Sequence, residues 1–157
     1  MDSLSLTLEN KSKMDIFEAE NAKLPQVVCP LVHRFTDGMY IREIHMPAGI
    51  AVTSRIHKTQ HPYVITQGVC EVVKEDGTHE ILQAPHTGIT EVGTRRVLLI
   101  HEDTVWITFH VTDKTDPVEI EEDITYTDNA LLPEGFRQGY LGSNRDITLT
   151  QEVPCLA

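Results

Sequence analysis

The chain is poor in positive charge: 13 Lys and Arg residues stand against 24 Asp and Glu, a formal net charge of -11 and a pI near 5.0. A surface so acidic repels phosphate backbones and anionic headgroups, so neither nucleic acid nor a membrane is expected as a partner. Cysteine is also scarce. Cys29, Cys70 and Cys155 are odd in number and far apart, with no C-x-x-C pair. That pattern excludes a disulfide framework and a cysteine-rich zinc site, and leaves buried or incidental thiols. No apolar run is long enough to span a bilayer. The opening stretch MDSLSLTLENKSKMDIFEAENAK has no apolar h-region, so no secretory signal is expected and the product is expected in a cytoplasm. Internal repeats, low-complexity segments and sustained helical periodicity are missing too.

What is present, in 157 residues sized for one domain, is a series of short alternating runs. MYIREIHM sets Tyr40, Arg42, Ile44 and Met46 against Ile41, Glu43 and His45, and ends at Pro47 and Gly49. IAVTSRIH is a second strand candidate. VCEVVKE and THEILQ flank Asp76-Gly77, a strong hairpin signal. Glu102 and Asp103 mark the turn into TVWITFHVT. Strands at this spacing indicate an all-β barrel or sandwich. Residues 25–116 are expected to form it. Residues 1–24 read as an arm, flexible or bound to a partner, in which MDIFEAENAK is long enough for a short helix but carries little apolar surface. Residues 117–157 read as a C-terminal extension. Its acidic run Glu119–Asp123 suits a solvated face or the start of a helix. Its apolar residues Leu131, Leu132, Phe136, Tyr140 and Leu141 need a surface, on the barrel or on a neighbouring subunit.

The chemistry centres on AGIAVTSRIHKTQHPYVITQG, residues 48–68, where His57 and His61 stand between two glycines. Divalent transition metals need donors converging within about 2.0–2.2 Å, and a strand-loop-strand can supply two of them. In TVWITFH, Trp106, Thr108 and His110 share one face, and Val105, Ile107 and Phe109 share the other. The second set reads as core between sheets and the first as the inside of a barrel mouth, which makes His110 the third candidate ligand. His101 and His86 are less well placed. His33, His45 and His79 read as surface or packing histidines. Glu91 is a candidate fourth donor or general base.

Gly49, Arg55, His57, His61 and Gly68 keep every spacing of G-x5-H-x-H-x3-E-x6-G, the first motif of the cupin superfamily, with Arg55 and His61 at two ligand positions. The stretch EVGTRRVLLIHEDTVW resembles part of the second motif, with Glu91 at its proline position, Gly93 kept and Arg96 at its histidine position. The chain thus resembles a cupin over residues 38–113, which implies a single double-stranded β-helix, or jelly-roll, barrel with an N-terminal arm and a C-terminal extension. LPQVVCPLVHRFTDGMYIREIHMPAG, IHKTQH and EDTVWITFH are similar to stretches of small cupin-like proteins of tailed bacteriophages and prophages. That likeness implies a phage origin, with the protein in the host cytoplasm or in the virion.

Two functional classes follow. One is a phage-type, non-enzymatic binding, assembly or accessory protein, virion-associated or not, with the barrel as scaffold and phage structural proteins as partners. The other is a metal-dependent small cupin enzyme, isomerase or dioxygenase-like, using His57, His61 and His110 with zinc, iron, manganese or nickel. A guanidinium repels a divalent cation unless an anion lies between them, so Arg55 and Arg96, with Arg95, also suit a metal-free pocket for a small anion or sugar. Tyr63 and Trp106 would wall that pocket. The same arginines could instead pair with Glu43, Glu71 or Glu91 across the sheet. A homo-oligomer is expected, as the fold commonly pairs through its edges.

Overall fold

The computed structural model describes residues 13–126 and 152–154. The apolar tail positions Leu131, Leu132, Phe136, Tyr140 and Leu141 lie outside the described residues, as does Cys155. The described chain begins with helix α1 (residues 13–21). Ten strands follow: β1 (Gln26–Val28), β2 (Leu31–Thr36), β3 (Met39–Met46), β4 (Ala51–Thr53), β5 (His61–Gln67), β6 (Val69–Lys74), β7 (His79–Gln83), β8 (His86–Thr90), β9 (Arg96–Ile100) and β10 (Thr104–Val111). Helix α2 (Pro117–Ile124) comes next, and β11 (Glu152–Pro154) pairs with β1.

Two antiparallel sheets form the barrel, one in the order β2-β3-β10-β5-β8 and the other β4-β9-β6-β7. The chain hops between them at nearly every turn, as the double-stranded β-helix requires. Hops need sharp turns, and glycines supply two of them. Gly68, between β5 and β6, has φ +95°, and a Cβ there would lie 2.3 Å from the Asp103 carbonyl oxygen. Gly49 has φ +86° but open space around it. The Asp76-Gly77 hairpin forms as expected, with the Asp76 carboxylate accepting from the Thr78 amide at 2.9 Å.

Strand alternation decides what goes inside. Along β3, Tyr40, Arg42, Ile44 and Met46 are buried and the intervening residues are only partly so. On β10 the buried set is Thr104, Trp106, Thr108 and His110. Val105, Ile107 and Phe109, expected as core between sheets, face outward and are partly exposed. The inward face is the more polar one because part of the barrel interior is a polar chamber rather than a core.

The arm expected to be mobile or held by a partner is, over residues 13–21, a helix held by its own barrel. Met14, Asp15, Glu18 and Asn21 form its buried face. Arg95 donates to Asp15 at 2.6 Å and to Glu18 at 2.7 Å, all three side chains being almost fully buried. The apolar count of the segment is low because ion pairs do much of the docking.

The two glycine turns make a paired prediction. Gly68→Ala adds a steric clash to a left-handed backbone, and should lower the unfolding free energy by about 2–4 kcal/mol in urea titration. Gly49→Ala carries the backbone strain alone, and should cost about 1–2 kcal/mol.

Candidate ligand pocket inside the barrel

The inward side chains of β3 and β10 stack in register, so the barrel interior is layered. His110 faces Tyr40, Arg42 faces Thr108, Ile44 faces Trp106, and Met46 faces Thr104. On β9, Arg96 leads into Leu98 and Ile100, which face Val72 and Cys70 on β6. One end of the barrel is therefore cationic and imidazole-rich, and the other is apolar. Between them lies a cavity of about 90 Å³, lined by residues of both layers.

The structure brings His57, His61 and His110 together. The His57 and His61 rings lie 4.9 Å apart edge-on, and those of His61 and His110 lie 4.4 Å apart. His61 uses its Nδ1–H on the Thr59 carbonyl at 3.2 Å, and His110 Nε2 meets Thr108 Oγ1 at 2.9 Å. His57 Nδ1, His61 Nε2 and His110 Nδ1 are buried with no hydrogen-bond partner among the described residues. All three rings are neutral at physiological pH. Burial is the main cause, pulling His61 down to about 4, His110 to about 3 and His57 well below its ordinary value. The Arg42 guanidinium pushes each ring the same way.

The arginines divide by partner. Arg55 pairs with Glu121 of α2 at 2.8 Å, not with Glu43, Glu71 or Glu91. Arg95 faces outward to α1 and takes no part in the cavity. Arg96, one residue on, faces inward. Its Nη2 donates to Thr90 Oγ1 at 2.6 Å, and its guanidinium lies 5.4 Å from the Tyr63 ring centre and 5.2 Å from that of Trp106. Tyr63 and Trp106 stack at 4.5 Å. Among the described residues Arg96 forms no ion pair, although Glu80 in the adjoining bowl acts on its charge and Tyr63 hydrogen-bonds it. Trp106 lines the cavity, whereas Tyr63 faces a separate, more open bowl on the far side of Arg96. Burial draws Arg96 below its ordinary value, but a guanidinium stays charged.

Glu91 does not reach the histidines. It is exposed at the rim, where Gln60 donates to it at 2.8 Å. His101 and His79 both engage Glu71 on the outer face of the smaller sheet, and His86 meets the Tyr63 hydroxyl at 3.3 Å.

Two contributors escape a reading of the sequence. Arg42 sits in the inward set of β3, and its alternation with Tyr40 and Ile44 is the signal that could have found it. The other is α2, which covers the cavity. Ile120 is fully buried, and Glu121, Ile124 and Thr125 line the chamber. The helix is capped by Asp116, whose carboxylate accepts from the Val118 amide, and begins with Pro117. Its end is stitched to the histidine loop: Lys58 N donates to Ile124 O at 2.7 Å, and Thr125 bridges to His57. The acidic run is thus a helix, with Glu121 turned inward.

A metal fits this chamber only in part. Three neutral imidazoles are suitable donors. Among the described residues, however, no three His, Cys, Asp or Glu side chains are arranged to hold an ion. The chamber's arginines add positive charge.

No protein-family model matches the chain, and no curated protein matches it. Solved structures do. The chain is similar to ectoine synthase from P. lautus, at 12% identity and TM-score 0.52, over 66% of this chain and 78% of that one. It is also similar to a cupin-2 domain containing protein from Shewanella frigidimarina, at 11% identity and TM-score 0.44, over 61% and 92% of the two chains. A cupin domain from Bordetella pertussis matches at 13% identity and TM-score 0.46, over 57% and 98%. At such identities the likeness concerns the fold, which is the cupin double-stranded β-helix.

The neutral histidines set an acid limit on stability. Unfolded histidine titrates near 6.5, and the native rings of His61 and His110 near 4 and 3. Below pH 6.5 the unfolded chain therefore binds more protons, and stability falls as pH is lowered toward 4. The loss should reach a few kcal/mol, since each histidine held neutral contributes ~1.4 kcal/mol for every pH unit below its unfolded titration point. Urea midpoints at pH 7.5 and 5.0 measure it. A His61→Gln, His110→Gln variant should show a flatter pH dependence, and an unchanged slope would refute the assignment.

Proposed function

We propose that the protein is a non-enzymatic binding protein that holds a small anion in the barrel chamber beneath α2. The observation that carries this reading is Arg96, a guanidinium at the cavity wall that forms no ion pair among the described residues, and on which Glu80 acts only without direct pairing. It stands at a chamber lined by the neutral imidazoles of His57 and His110. Arginine offers paired N–H donors to a carboxylate or phosphate, and the half-dry setting strengthens such bonds.

Catalysis has less support. Glu91, the candidate general base, lies outside the chamber, and the one carboxylate lining it, Glu121, is engaged by Arg55. A sugar is too large for the cavity of about 90 Å³ and would need the bowl of about 410 Å³ beyond Arg96, since pockets for larger organic ligands run to about 300–1,000 Å³. A divalent metal is the competing occupant. The three unbonded imidazole nitrogens favour it, and the unconverged donors and the guanidinium charge disfavour it.

An assembly role in a tailed phage would fall to the two extensions. Of their described parts, α1 and α2 are engaged with the barrel of the same chain and β11 pairs with β1. This supports the pocket rather than the termini as the functional element.

Thermal unfolding with phosphate, sulfate and short carboxylates tests the reading. At least one anion should raise Tm in proportion to the logarithm of its concentration, and Arg96→Gln should abolish the shift. No response to any anion would overturn the proposal. So would stoichiometric transition metal, found by elemental mass spectrometry in protein purified without chelator or metal resin, that disappears in His57→Ala, His61→Ala.

A further inference from the structure

The layering of the chamber says more about its occupant than its charge does. Resting on the anion reading, we infer that the ligand is a carboxylate with a short aliphatic tail. The charged end of the cavity is formed by Arg96 with His57 and His110, and the opposite end by Ile44, Val52 and Leu98 beside the face of Trp106. This polarity runs along the barrel axis, because the inward residues of β3 and β10 pass from His110 and Arg42 to Ile44 and Trp106 in successive cross-strand pairs.

A phosphate or sulfate carries charge on all sides. Seated here it would turn some oxygens toward Leu98 and Ile44, which offer no donor, and that desolvation opposes binding. A carboxylate concentrates its charge at one end and leaves carbon at the other. Its head matches the remaining donors of Arg96, whose Nη2 is held by Thr90 Oγ1 and whose guanidinium lies against the stacked pair Tyr63–Trp106 and hydrogen-bonds Tyr63. Its tail matches the apolar layer.

The chain already places one carboxylate of its own on an arginine of this chamber. Glu121 reaches from α2 to Arg55 at 2.8 Å, with both side chains about 90% buried. A carboxylate–guanidinium pair is therefore accommodated at the cavity wall. The volume, about 90 Å³, sets the length of the tail. Several water molecules, or one acid of a few carbons, would occupy it. Longer chains would collide with the barrel floor.

Isothermal titration of the full chain with acetate, propionate, butyrate and octanoate tests this, with inorganic phosphate and butyramide as controls. Affinity should rise about fourfold per methylene over the short acids, the fold-change that ~0.8 kcal/mol per buried CH₂ gives. It should fall for octanoate. Arg96→Gln should remove binding of every acid. Val52→Ala enlarges the apolar end without touching the charged one, and should move the optimum to a longer acid. Phosphate binding as tightly as butyrate, or affinity indifferent to chain length, would overturn the carboxylate inference and leave the anion reading standing. Butyramide binding as tightly as butyrate, or no binding of any anion, would overturn both.

Discussion

Buried positive charge is the constraint around which this molecule is organised. Removing a guanidinium from water costs several kcal/mol unless a carboxylate or an equivalent acceptor meets it. The barrel removes several. Arg95 on the outside is met by Asp15 and Glu18 of α1, and Arg55 at the chamber is met by Glu121 of α2. Both helices are thus docked by charge as well as by apolar contact. Each adds carboxylate where the β-framework has placed arginine. Arg96 is balanced differently, by a threonine hydroxyl, a hydrogen bond with Tyr63 and two aromatic faces, with Glu80 acting on it outside any ion pair. The absence of a direct ion pair among the described residues leaves the chamber able to attract an anion.

The start of one strand carries the division. Arg95 immediately precedes β9 and Arg96 begins it, and the two side chains take different partners. The first attaches α1 to the outside. The second enters the chamber. A shift of one residue in register would turn the inward residues of β9, Arg96, Leu98 and Ile100, to the outer face. The many backbone pairs of β9 with β4 and β6 prevent that shift. The charge pattern of the pocket is therefore set by sheet register, which in turn depends on the turns at Gly49 and Gly68.

Much of the fold is legible in the sequence because it rests on local chemistry. The alternating runs, the Asp76-Gly77 turn and the turn at Glu102-Asp103 each follow from a few adjacent residues. The spacing from Gly49 to Gly68 locates the histidine loop, and inward alternation on β10 points to His110 beside it. The departures have a common origin. Val105, Ile107 and Phe109 look like core because apolar residues usually are, but a barrel with a polar chamber turns its mixed face inward. The α1 segment looks too polar to dock because Arg95, its partner, is about 80 residues away in the chain. Glu91 has the chemistry of a general base, but it is exposed, bonded by Gln60, and lines the outer bowl rather than the chamber.

Several turn positions and the clustering of two histidines are properties of short stretches, and the amino-acid order settled them. Which arginine is neutralised, and by what, was decided only when distant segments met. Glu121 reaches Arg55 across more than sixty residues, and neither residue's surroundings reveal the other. The same holds for the three histidines. Their spacing could suggest that they meet, but burial, which makes them neutral, belongs to the closed barrel and to the helix that covers it. Local sequence restricts the backbone through sterics and hydrogen bonding over a few residues. Desolvation and ion pairing act through space, and only the assembled fold specifies them.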